Sequence, residues 1–178
     1  MLKELLQGRF INHPLHPIFV HLPVGLWVTS LILDIVYMAN HQSIFAQTSF
    51  YCILIGLIGA SLAIPTGFAD YLSIRSKTVA KRLATAHMLL NIAVFGLFFY
   101  NIISRYALSD QVPMQVTGMQ LGLSILCVLL LGVSGYLGGL LVFEYAIGYR
   151  PEERDEERDE ERNEEDHLKH AHTRKRAA

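Results

Sequence analysis

The chain has 178 residues, of which 52% are hydrophobic and 17% charged, with a formal net charge of −1. Charged residues fill about a quarter of positions in an ordinary soluble domain, so this composition excludes a single water-soluble core. The charges are also unevenly placed. Between Phe10 and Tyr149 the only basic residues are Arg75, Lys77, Lys81, Arg82 and Arg105, and the only acids Asp34, Asp70, Asp110 and Glu144; most of the rest follow from Arg150 onward. A membrane body with a solvated tail accounts for that division.

The N-terminal segment, residues 1–16, leads into Asn12-His13-Pro14-Leu15-His16-Pro17 and then His21-Leu22-Pro23. In a polyproline-like turn with three residues per turn, His13 and His16 point the same way. The first apolar span runs from about residue 17 to 38, close to the 20 residues needed to cross a bilayer. Its length, Asp34 and the lack of a small-residue cleavage site argue against a cleaved signal peptide. Asp34 lies near the outer end, where it is expected to snorkel to water beside Tyr37.

Three further spans follow at about 48–68, 84–103 and 118–143. Pro65 is expected to kink the second, and Gly56, Gly59 and Gly67 punctuate it. Cys52 and Cys127 fall at different depths in separate spans, so no disulfide is expected between them. His87 stands one turn into the third span. The fourth carries Gly118-x-x-x-Gly122 and Gly135-x-x-x-Gly139, spacing that lets helices approach closely in lipid; it is the candidate packing helix, within one chain or in a homodimer. The fold class is therefore all-α, an integral membrane four-helix up-down bundle.

Orientation follows from loop charge. Arg75, Lys77, Lys81 and Arg82 lie in the second loop with Lys3 and Arg9 before the first span, while the first loop has no Lys or Arg and the third only Arg105. The positive-inside rule then places both termini on the cytoplasmic side of the membrane. Tyr37, Tyr51, Tyr100 and Tyr106 at the outer ends, with Tyr71, Tyr145 and Tyr149 at the inner ends, read as interfacial belts. The tail repeats EERD, EERD, EERN from Glu152 to Asn163. Its like-charged i,i+4 pairs make it a marginal solvated helix or disordered.

Placed by depth, the polar residues converge at the inner end. His21 and His87 open parallel helices, His13 and His16 precede the first, and Asp70 and Glu144 close the second and fourth. The side chains of His21 and His87 are expected to meet across the bundle.

These motifs together resemble a family of predicted bacterial membrane proteins, domain of unknown function 2231. The resemblance rests on His13-Pro14-Leu15-His16-Pro17, Val20-His21-Leu22-Pro23-Val24-Gly25-Leu26-Trp27 and Asp34. It continues through Gly67-Phe68-Ala69-Asp70-Tyr71, His87 with Asn91, and Gly135-Tyr136-Leu137-Gly138-Gly139 to Gly148. It spans about Gly8 to Tyr149, and the closing residues 141–149 follow the family pattern only loosely. It implies a four-helix membrane protein without an established activity. Some such relatives are joined to Rieske iron–sulfur domains, which points toward redox chemistry; this chain has no cysteine cluster to hold one.

Three functions are open. One is a haem b or similar redox module with His21 and His87 as axial ligands, serving a redox partner protein. The second is a non-haem site for iron, copper or zinc, drawn from His13, His16, His21, His87, Asp70 and Glu144. In the third, a structural or accessory subunit holds no cofactor and the histidines only satisfy the helix ends. No inverted repeat suggests transport, and no phosphate loop, nucleophile elbow or zinc-finger spacing marks a soluble enzyme. The lipid bilayer is the expected partner and nucleic acid is not, because the one basic loop is short and lies at the membrane surface.

Overall fold

The computed structural model describes residues 2–8, 13–107, 113–147 and 162. The chain divides into two units, 1–147 and 148–178. The expected tail helix lies outside the described residues, apart from Arg162.

Among its described residues the first unit has five helices: α1 (Leu2–Leu6), α2 (Leu15–Asn40), α3 (Ser43–Ser73), α4 (Val79–Ala107) and α5 (Gly118–Phe143). The last four are 26, 31, 29 and 26 residues long. At 1.5 Å per residue each exceeds the roughly 30 Å hydrocarbon core. All four are apolar enough to cross a membrane, and their outward faces carry large apolar residues such as Ile32, Ile58, Leu89 and Leu129. In lipid such exposure costs nothing, and the backbone polar groups are satisfied within each helix.

Local chemistry sets the ends. Pro14 caps α2 and Pro17 stands in its first turn, where the missing N–H has no intrahelical partner to lose. The helix therefore starts at Leu15 and takes His16 into the span, against the expectation that both histidines of the motif precede it. His41 stops α2 in the left-handed region, at φ 55°, with its N–H donated to Tyr37 O. Two residues then suffice to turn into α3. At the other turn Lys81 donates to Tyr71 O (2.7 Å) and sits over the Tyr71 ring, a cation at the carbonyl end of α3. Thr117 and Gln120 form a reciprocal capping box that opens α5. α3 continues through Pro65 without interruption.

Packing pairs α2 with α3 and α4 with α5 as two antiparallel hairpins; α3 against α4 and α2 against α5 close the ring. The central core holds Trp27, Phe50, Ile53, Leu57, Val94, Phe98, Ile102, Cys127 and Leu131. Trp27 and Phe98 stack at its middle with centroids 4.6 Å apart. Gly56 lets α3 approach the Trp27 indole, since a Cβ there would overlap the ring. Cys52 and Cys127 are buried and free.

Two expectations, one about a helix end and one about α5, need correcting. Tyr37 is buried against His41 rather than lying in an interfacial belt. Gly118, Gly122, Gly132, Gly135 and Gly139 have open space where a Cβ would stand, so these glycines do not serve close packing within the bundle.

Candidate functional site

The end of the bundle near the N-terminus brings together His16 and His87. Their ring centroids are 6.4 Å apart, with the planes at 87°. Each ring is held the same way by its own hairpin. His16 Nδ1 lies 3.0 Å from Ala63 O on α3, and His87 Nδ1 lies 2.8 Å from Ser134 O on α5. A carbonyl only accepts, so both imidazoles carry their proton on Nδ1 and present Nε2 as a lone pair. In histidines that bind metals, a bond of this kind fixes tautomer and ring direction.

Glycines make room for both rings. A Cβ on Gly67 would lie 2.6 Å from His16 Cε1, and one on Gly138 3.0 Å from His87 Cε1. Gly67→Ala is expected to push the His16 ring from its carbonyl and destabilise the protein by about 1–3 kcal/mol, as overpacking does. Thermal denaturation in detergent with NMR of the His16 imidazole checks this; an unchanged ring environment would count against the packing described. Around the pair stand Thr66, whose hydroxyl donates to Ala63 O (2.8 Å), and Asn91. Asn91 Nδ2 donates to Ser134 Oγ (2.7 Å) and His87 O (2.8 Å) and lies 3.1 Å from His87 Nε2.

The other expected site residues lie elsewhere. His21 is exposed on the outer face of α2, its Nδ1 bonded to Pro17 O of its own helix. It does not meet His87; His16, five residues earlier, takes that place because α2 begins before it. His13 is exposed at the bend before α2, so the motif's two histidines do not point together. Asp70 Oδ1 accepts from Gln7 Nε2 (3.2 Å), which also donates to Ser73 Oγ (2.8 Å), tying α1 to the end of α3. Glu144 is exposed at the end of α5. Among the described residues no three His, Cys, Asp or Glu side chains are grouped as metal ligands.

A second polar layer occupies the opposite end. Asp34 is fully buried and paired two-pronged with Arg105: Nη2 to Oδ2 at 2.6 Å and Nη1 to Oδ1 at 3.0 Å. Ser49 and Ser124 donate to the same carboxylate at 2.5 and 2.8 Å, and Arg105 Nε donates to Asn101 Oδ1 at 2.8 Å. Asp34 therefore does not snorkel, and Arg105 belongs to the last turn of α4 rather than to the third loop. Sequence reasoning took the two singly. The usable signal was that each is the one charged residue at its level of an apolar span, and such charges in lipid pair with each other.

Four long apolar helices closed around axial polar layers define an integral membrane four-helix bundle. The chain belongs to the predicted membrane protein family DUF2231, whose family model matches residues 12–151. That match covers both hairpins and both polar layers. No curated protein and no solved structure matches the chain.

Proposed function

We propose that this protein is the membrane-embedded ligand module of an electron-transfer system, holding a haem b-type iron macrocycle through Nε2 of His16 and Nε2 of His87. The observation that supports it is the pair of imidazoles with centroids 6.4 Å apart, each with Nδ1 anchored to a carbonyl so that Nε2 carries the lone pair. The donor set fits. Two nitrogens with no third His, Cys, Asp or Glu grouped beside them among the described residues would suit a metal that brings further donors of its own better than a bare ion.

Bound there, the group would supply one-electron chemistry. The chain's part would be to hold both rings in one tautomer through the carbonyl bonds, half-buried at this end of the bundle. Asn91 would keep its bonds to Ser134 Oγ and His87 O on giving up its contact with Nε2. On our reading this site lies at the cytoplasmic face of a bacterial inner membrane. The basic second loop supports this, as does the removal of Arg105 from the third loop, which leaves that loop without Lys or Arg.

A second reading has its own observation. The 3.1 Å approach of Asn91 to His87 Nε2 gives the imidazole a partner within the chain, as in a structural or accessory subunit with no cofactor.

The test is expression of the full chain with ample haem, purification in detergent, absorbance and elemental analysis. A Soret band is expected, lost in His16→Ala and in His87→Ala and kept in His21→Ala. Absence of both Soret absorbance and stoichiometric metal in the wild type would select the accessory-subunit reading. A C-terminal fluorescent fusion that folds only in the cytoplasm reports the orientation.

A further inference from the structure

Residues that meet on the axis of the bundle share one spacing. Asp34 and Arg105 are 71 positions apart; His16 with His87 and Trp27 with Phe98 have the same offset. Contacts within each hairpin repeat too. His16 to Ala63 and His87 to Ser134 both span 47 positions. Ser49 Oγ bonds Ser30 O and Asn101 Nδ2 bonds Gln120 O, each across 19 positions. The glycines against the imidazoles, Gly67 and Gly138, also correspond, as do the buried pairs Pro23 and Val94, Gly56 and Cys127, and Ala60 and Leu131. Few of these pairs are identical, but Gly25-Leu26 matches Gly96-Leu97 at this offset.

Corresponding residues touch only if they lie on a two-fold axis relating the hairpins. The ring of helix contacts obeys the same operation, because exchanging α2 for α4 and α3 for α5 turns the α3·α4 interface into α5·α2. α2 and α4 run the same way, so the axis lies along the membrane normal, as in parallel repeats.

We propose that the bundle is two copies of one hairpin joined in tandem, and that Asp34–Arg105 makes each copy recognise the other and reject itself. The pair occupies one equivalent position on the axis in both copies. A hairpin meeting another of its own kind would set Asp34 against Asp34, or Arg105 against Arg105, buried on the axis of the bundle. Like charges there carry both the desolvation cost and mutual repulsion. The bidentate Asp–Arg geometry is available only to the mixed pairing. The interaction surface is the axial face of each hairpin, and its partner is a hairpin with the opposite axial charge. This does not rest on the histidine site, whose two residues are the same in both copies.

The test uses the full chain in four forms: wild type, Asp34→Arg, Arg105→Asp, and both changes in one chain. Each single reversal places like charges on the axis and is expected to accumulate in membranes at least tenfold below wild type. The double reversal is expected to recover above either single. Co-expressing the two single reversals with different tags separates specificity from simple stability. One chain then supplies two axial arginines and the other two axial aspartates, so exchanging hairpins pairs every charge. Both chains should recover and copurify one to one. A single reversal at the wild-type level, a double reversal no better than the singles, or recovery of the double without recovery on co-expression would each overturn the proposal.

Discussion

Arg105→Leu is expected to destabilise the bundle by about 3–5 kcal/mol, the range for removing one partner of a buried ion pair. Arg105 is 1% exposed and Asp34 0%, so the carboxylate is shielded from water and loses its counter-charge with the guanidinium. Ser49 and Ser124 remain as donors, but two hydroxyls do not neutralise a charge. Asp34→Leu strands the guanidinium in the same way, although Asn101 Oδ1 still accepts from it. The double variant Asp34→Leu/Arg105→Leu is expected to be more stable than either single, because no unpaired charge remains. Denaturation of all three in detergent measures this. If Arg105→Leu matches the wild type, Asp34 does not depend on the pair.

Trp27→Ala is expected to cost about 3–5 kcal/mol, as for other large-to-small core changes. The indole is 3% exposed, donates Nε1–H to Ile53 O (3.4 Å), fills the space that Gly56 leaves, and stacks on Phe98. Removing it opens a cavity between the two polar layers, where lipid cannot reach and packing is mainly dispersion. A double-mutant cycle with Phe98→Leu should return a coupling of about 0.5–1.5 kcal/mol, the range for aromatic pairs. Additive losses would mean that the two rings pack independently across the axis.

Much of the fold was legible because a span announces itself by length and hydropathy. The four helices sit where the apolar runs predicted, extended by a few residues at most ends. The site was less legible, for two physical reasons. Which histidine faces inward depends on helix phase, and phase depends on where the helix starts. Reading the His-Pro stretch as extended put His16 outside and left His21 to face His87; starting α2 at Leu15 reverses their roles. The Asp34–Arg105 layer was hidden by treating each charge against water instead of against the rest of the bundle. The repeat was hidden because the residues that meet on the axis are paired by complementarity, tryptophan with phenylalanine and aspartate with arginine, more than by identity.

Asp34 and Arg105 also bear on how the protein enters the bilayer during synthesis. α4 threads in carrying a full positive charge, which a lone helix would have to leave near a headgroup or drag across at a cost of a few kcal/mol. Its counter-charge is by then already in place on α2, with Ser49 of α3 beside it. The affinity of α4 for the membrane is thus a property it shares with the first hairpin. Inserted alone, α4 should cross less efficiently than when α2 and α3 precede it, and Asp34→Ala should remove that advantage in a glycosylation-mapping assay of nascent chains.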